Sequence, residues 1–387
     1  MKSSFSNVLI IGAGLNGLSL ACGLANSGFS VRVLDLNLNL NLDLDKSSRI
    51  SNLRVSALTS ESLEFLKKLG LEREIDQEFK NFKFKSMEVW ESGNNKKLYL
   101  ELGNAIIIQN NFLQKLLFDK AQSLGVSFAL EAPRNIERTS AHIYIHTDQK
   151  NTWQADLLIG ADGANSFVRE FSGIKTKFKN YDQQALVCVI QTEKPHDQTA
   201  YQIFLPEGPL AFLPLENSHQ CSIVWSCSPQ QGQGFLEKNK ENFEQELAKI
   251  FEHRLGSLKL ISERLCFTLK HHHAEKYMAD KTVLIGDAAH VIHPLAGLGL
   301  NLGFRDSEVL IKFLNLAKSQ NRPLGSWHVL SKYERERRPH NAMISMGMTG
   351  INSLFKAKFP GVKILRSKGL EFVEKSKWWK RFFLEKP

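Results

Sequence analysis

Cysteine is scarce in this chain of 387 residues: there are five, Cys22, Cys188, Cys221, Cys227 and Cys266, odd in number and never spaced C-x-x-C. Such scatter supports neither a disulfide framework nor a thiolate metal site, and it fits reduced thiols in a cytoplasm-like compartment. Tyrosine and tryptophan are also sparse, six of each against 25 phenylalanines, a balance that favours an apolar interior or pocket over a wet recognition surface. Long apolar runs are missing. The stretch from Val8 to Val33 is punctuated by five glycines and interrupted by Asn16, Asn26 and Arg32, leaving segments too short for a bilayer of about 30 Å and arguing against a signal peptide. The formal charge of +10 comes without a helix-turn-helix, zinc-finger or RNP-like signature, so nucleic acid is not expected as a partner. Basic residues thicken after Lys332 instead, which suits an anionic membrane surface or an acidic partner.

What is present is length enough for two intimately joined domains with a buried core and room for a cofactor. Val8 to Ile11 is an apolar run ending in a glycine cluster, the mark of a strand buried on both faces of a parallel sheet. Leu15 to Asn26 follows as a helix with Gly28 past its end, and Val31 to Leu34 as the next strand, giving one βαβ unit. Residues 36–44 alternate Leu with Asn or Asp; those polar residues oppose a strand, so a low-complexity loop is expected. Ser60 to Leu69, stopped by Gly70, and Asn110 to Leu124, with Phe112, Leu113, Leu116 and Leu117 on one stripe, read as amphipathic helices. From Leu186 to Ile190, Ala211 to Leu215 and Cys221 to Ser226, short apolar runs between Pro and Gly predict an antiparallel sheet inserted into the α/β part. Thr282 to Ile285 returns to a buried parallel strand, and the remainder is expected to be mostly helical.

Three elements carry chemistry. Gly12, Gly14 and Gly17 complete G-x-G-x-x-G between a strand and a helix, with Asp35 ending the next strand. The first glycine permits the tight turn, the second lets backbone N–H groups approach a pyrophosphate, the third allows close helix packing, and the acid accepts ribose hydroxyls. NAD and FAD are not separated by this pattern alone. In the second element, Leu157 to Ile159 runs into Gly160, Asp162, Gly163 and Ser166 as strand, sharp turn and helix, a context in which Asp162 could equally be a cap. The third runs from Val283 through Gly286, Asp287, His290, His293, Pro294, Gly297, Gly299, Leu300 and Asn301 to Asp306. Here a buried strand ends beside an acid, and a glycine turn opens a helix whose N-terminus suits a partly anionic ring. Asp287, His290 and His293 do not complete a metal ligand set, and His271, His272 and His273 read as a surface basic run. Met343, Met346 and Met348 read as helix packing.

These elements, in this order, resemble the flavin-dependent aromatic hydroxylases of the para-hydroxybenzoate hydroxylase fold. Gly286 to Arg305, Arg54 to Leu58, Leu205 to Leu215 and Tyr333 to Arg338 resemble more closely the ubiquinone-biosynthesis hydroxylases within them. The fold so implied is an α/β, Rossmann-like FAD-binding domain over residues 1–75, 101–180 and 270–345. An inserted β-sheet substrate domain would take 76–100 and 181–269, and a helical C-terminal segment 346–387.

The resemblance implies that Gly12, Gly14, Gly17 and Asp35 hold the ADP half of FAD, Arg54 the pyrophosphate or ribityl region, and Asp287 the ribityl chain. Asp162 and Gly163 would border the flavin, Gln109 would touch it, and Pro294 with the backbone of Gly297, Gly299, Leu300 and Asn301 would lie against the ring. The implied activity is hydroxylation of a polyprenyl phenol or quinone precursor by O2 through a flavin C4a-hydroperoxide, with NAD(P)H or another donor as reductant. No side chain is singled out as an acid or base. Leu298 stands where many relatives have Gln and Asn111 where a basic residue is common, which leaves substrate and reductant handling open. Hydroxylation of a soluble aromatic, or a non-catalytic FAD-bound role in a quinone-synthesis assembly, are the alternatives. The aromatic and basic mixture after Phe359 is expected to meet a membrane or a partner, in keeping with a cytoplasmic protein peripheral on the inner membrane.

Overall fold

The computed structural model describes residues 3–36, 54–78, 84–93, 97–178, 182–292 and 299–357. From its N-terminus the chain runs β1 (Ser3–Ile11), α1 (Leu15–Asn26), β2 (Val31–Leu34), β3 (Val55–Leu58), α2 (Ser60–Lys68), α3 (Glu72–Glu78), β4 (Phe84–Glu91), β5 (Lys97–Gln109) and α4 (Asn110–Ser123). Next come β6 (Ser127–Ala129), β7 (Pro133–Arg138), β8 (Ile143–Thr147), β9 (Thr152–Gly160), α5 (Phe167–Phe171) and β10 (Thr176–Phe178). The middle is β11 (Gln184–Thr192), β12 (Thr199–Phe204), β13 (Pro209–Pro214), β14 (Gln220–Cys227), α6 (Pro229–Glu237) and α7 (Lys240–Ile250). The chain then makes β15 (Leu258–Leu260), β16 (Leu265–Thr268), β17 (His272–Ala274), β18 (Met278–Ala279), β19 (Thr282–Leu284), β20 (His290–Val291), α8 (Gly299–Ser319) and α9 (Trp327–Lys356).

Eight strands form one sheet in the order β18-β19-β9-β1-β2-β6, with β7 and β8 joined at β9. Parallel pairing of β1 with both β2 and β9, and of β19 with β9, puts the carboxyl ends of four strands side by side, where ligands of open α/β sheets bind. Val8, Ile10, Leu157 and Leu158 are fully buried, as strands covered on both faces must be. Helix α8 lies on α1 so closely that a Cβ at Gly23 would fall 2.3 Å from the Ile311 methyl. Gly28, at φ +74°, turns the chain out of α1.

Nine strands form the second sheet, in the order β15-β11-β14-β13-β12-β4-β5-β3 with β16 also on β11. All its pairs are antiparallel except β4 with β12. The segments 55–58 and 101–109, expected with the first domain, hydrogen-bond into this sheet as β3 and part of β5, so the chain crosses between the two layers within these strands. Its outer face, including Ile203, Phe212, Ile223 and Trp225, packs on Phe243 and Leu247 of α7 and on Phe251. On the inner face, Val89 and Phe204 meet Ile292, Leu302 of α8 and Ile344, Met348 and Phe355 of α9; the Phe204 and Phe355 rings stack at 3.8 Å. That cluster joins the two sheets.

Two expectations need correction. The histidine run is no surface feature: β17 is flanked by β10 and β20, and His272 is buried. Of the three methionines only Met348 packs inside, while Met343 and Met346 are 45% and 68% exposed, because they fall on the side of α9 away from the sheets. The five cysteines are free thiols. Among the described residues no helix is long and apolar enough to cross a membrane. The Leu/Asn alternation beyond residue 36, and the C-terminal mixture from Phe359, lie outside the described residues.

Candidate active site

Where β1 turns into α1, Gly12 has φ +108°, and a Cβ there would lie 2.3 Å from the Ala161 carbonyl oxygen. At Gly17 a Cβ would sit 2.0 Å from the Gly12 carbonyl oxygen. Both positions take glycine for packing. Gly14 differs: its φ is −73°, and a Cβ would meet nothing within 4 Å. It is the N-cap of α1 without a side-chain cap, so backbone N–H groups at the positive end of a three-turn helix face open space. The Ala13 N–H donates to Asp35 Oδ2 at 2.7 Å, which fixes the acid at the end of β2 beside the turn.

The second sharp turn follows β19. Gly286 has φ +54°, and its N–H donates to Asp306 Oδ2 at 3.1 Å. Asp306, fully buried, also accepts from His290 Nε2 at 2.6 Å, Arg337 Nε at 2.8 Å and Asn341 Nδ2 at 3.0 Å. Burial pushes the Asp306 carboxyl up, but the charges and hydrogen bonds of His290 and Arg337 prevail and hold it well below the usual carboxylate range. A buried carboxylate with four donors is thus the anchor on which the Gly286–Ala288 turn hangs. The next residue, Asp287, keeps an exposed side chain although protein crowds it, as on the wall of a recess. Desolvation raises its carboxyl, against the pull of His290 and Arg54.

Asn16, from the first turn of α1, wedges between this turn and α8. A Cβ at Gly286 would lie 2.2 Å from Asn16 Nδ2, and one at Gly303 2.3 Å from it. Those two glycines let the first and third motifs touch. The β9–α5 turn is tied in by Arg169, which donates to the Ala288 and Ala164 carbonyls, each at 2.9 Å, while His272 Nε2 lies 3.0 Å from the Asp287 carbonyl. Gly163 has φ +78° with open space around it. The Asp162 carboxylate accepts from Ser166 Oγ at 2.5 Å and Val168 N–H at 3.1 Å, so it braces the start of α5, whose N-cap is Ser166. Burial raises its pKa and those bonds oppose the rise.

Arg54 is exposed, its guanidinium 5.4 Å from the Phe267 ring centre and close enough to Asp287 to lower that carboxyl. It leads into β3, at one end of the second sheet, whereas Phe267 sits in β16 near the other. The sheet therefore curls until its edges approach around a concave inner face. Gln109 pairs with Val55 beside Arg54 and is exposed. Asn301 does not present its side chain to a ligand: Oδ1 accepts from Ser62 Oγ at 2.6 Å and Thr59 N–H at 3.0 Å, and Nδ2 donates to the Ala57 carbonyl at 2.8 Å. It clamps the start of α8 to β3 and α2. Leu300 packs partly against the main core, and Gly299, at the first turn of α8, has open space where a Cβ would be. Pro294 and Gly297 lie outside the described residues.

An FAD fits this arrangement. The uncapped α1 N-terminus at Gly14 suits a pyrophosphate, Asp35 suits ribose hydroxyls, and the accessible Asp287 and Arg54 suit the ribityl region. Asn16, Arg169, Asp306 and Arg337 escaped the sequence reading as functional residues. Asp306 and Arg337 fall in segments already singled out, but no local pattern pairs them, and their contact emerges only from the fold.

The chain matches the FAD binding domain family over residues 6–346. It is 31% identical to the 3-demethoxyubiquinol 3-hydroxylase of Escherichia coli (strain K12), over 98% of either chain. It is 28% identical to the mitochondrial ubiquinone biosynthesis monooxygenase COQ6 of Danio rerio, over 96% of this chain and 87% of that protein. In fold it is similar to the p-nitrophenol 4-monooxygenase PnpA of Pseudomonas putida DLL-E4, with a TM-score of 0.78 at 16% identity, covering 99% of this chain and 97% of that one. Full-length likeness to these proteins, together with the glycine turn and the Asp287 recess, shows that the chain belongs to the ubiquinone-biosynthesis family of FAD-dependent aromatic-ring hydroxylases.

Proposed function

We propose that the chain hydroxylates the ring of a polyprenylated ubiquinone precursor held between the Asp287 recess and the inner face of the second sheet. The observation that carries this reading is the character of that face. None of the inward-turned residues of β11 to β14, from Ala185 and Val187 through Phe204, Ala211 and Leu213 to Val224, is charged, and Ala211, Leu213 and Val224 are only half-buried. A half-covered apolar surface suits a prenylated ring better than a small polar one. FAD, reduced by NAD(P)H, supplies the activation of O2. The protein contributes the other terms. Gly14 and Asp35 hold the nucleotide end, Asp287 and Arg54 set the charge beside the ribityl chain, and the curled sheet keeps water from the reacting centre.

Its prenylated substrate would bring the chain to a membrane surface or into a quinone-synthesis assembly, which the basic residues after Lys332 suit. Lipid extracts from cells with and without the gene test the reading. Loss of the gene should accumulate a quinone precursor lacking one ring oxygen. Unchanged quinones in the deleted strain would instead favour a soluble aromatic substrate.

A further inference from the structure

We infer that Gln202 is the specificity-determining residue that recognises the ring oxygen of the substrate. The inference rests on the reading of the inner face given above. Strand parity sets the geometry. Tyr201 and Ile203 pack outward, whereas Phe204 packs inward against Ile292 and α9, so Gln202 turns inward with it. The register places it in a cross-strand row, Val89, Gln202, Ala211, Val224, Val187, in which it is the one polar member.

Gln202 is 5% exposed, and its side-chain amide makes no hydrogen bond among the described residues. Unlike the sealed polar atoms of the fold, this amide keeps an opening to solvent, so it is free to meet a ligand with both its donor and its acceptor. Its neighbour Ala211 is half-buried and so is Val224, which puts Gln202 at the margin between the part of the face covered by α9 and the part left open. A second polar atom points the same way: Ser222, on the inner side of β14 one row along, is fully buried and its Oγ has no partner. Two neutral groups, able both to donate and to accept, recognise a hydroxyl or an ether oxygen.

The test is titration of the oxidised, FAD-loaded enzyme with 2-prenylphenol and with prenylbenzene, followed by the change in flavin absorbance. Wild type should bind the phenol more tightly. In Gln202→Leu, which matches the apolar row and should leave flavin content unchanged, phenol affinity should fall about tenfold, the order expected for one lost hydrogen bond. Prenylbenzene should bind as before, so discrimination collapses. Should Gln202→Leu fail to fold, Gln202→Met serves as the unbranched substitute. Retained discrimination in a folded variant overturns the role of Gln202, while failure of the wild type to bind either compound overturns the prenylated-ring reading itself.

Discussion

Gly14 and Gly17 stand three residues apart on one turn and serve different ends. A methyl group at Gly17 collides with the Gly12 carbonyl at 2.0 Å, whereas at Gly14 it enters open space. Gly17→Ala is therefore expected to lower the stability of the cofactor-free protein. Gly14→Ala should leave that melting temperature within about 2 °C, as for substitutions that disturb no packing, yet weaken FAD binding at least about tenfold by blocking close approach of the pyrophosphate. Thermal melts and flavin titrations of both variants check this pair. Asp306 gives a second test. Removing a fully buried carboxylate leaves Arg337, itself 3% exposed, without its counter-charge. Asp306→Ala should thus cost about 3–5 kcal/mol in denaturant unfolding and release flavin, since the Gly286 turn loses its anchor. The glycines were legible in the sequence because backbone geometry dictates them locally. The Asp306 network was not, since its partners come from residues separated by up to 35 positions and only the fold shows that they meet. Asp162 has two readings in the sequence, helix cap and flavin border; the cap of α5 falls to Ser166, which Asp162 holds by a hydrogen bond.

Among the elements, α1 and β2 could be read to the residue, because a buried strand and a glycine-bounded helix each leave a strong local pattern, whereas β1 could be read only over its buried end from Val8, its start at Ser3 lying in a polar stretch. Helices α6 and α7 were missed: they cover the outer face of a sheet whose position no local pattern states. Strand β17 was misread for the same reason, its histidines being polar yet enclosed. Burial, reinforced by the Arg169 charge, pushes His272 down to about 4, and burial with the His290 charge does the same for His273. Both folded values lie below the ordinary histidine value near 6.5. Between about pH 6.5 and 4 the unfolded chain therefore binds protons that the fold refuses, so this stability is complete above pH 6.5 and lost as pH falls through the window. Urea unfolding should show a loss of about 1–2 kcal/mol per buried imidazole between pH 7 and pH 5. The loss should be smaller in His272→Gln; an unchanged pH profile in that variant would contradict the assignment.

At the scale of the whole molecule, function follows from two sheets meeting. The parallel sheet brings three turns to one edge, the curled sheet supplies an apolar wall, and α8 and α9 fix one against the other through Asn301, Leu302 and Phe355. The sequence announced the first sheet, since dinucleotide binding imposes glycines and an acid at set places. Of the second it announced only the strands: the curl that brings Arg54 to Phe267 depends on pairings between distant segments. The direct test of the account is to supply the purified, FAD-loaded protein with NADH, 2-prenylphenol and O2 labelled with oxygen-18, and to weigh the product. The account predicts a ring-hydroxylated product carrying one labelled oxygen, in step with NADH consumed. Flavin reoxidation that yields only hydrogen peroxide, with the phenol recovered unchanged, would contradict it.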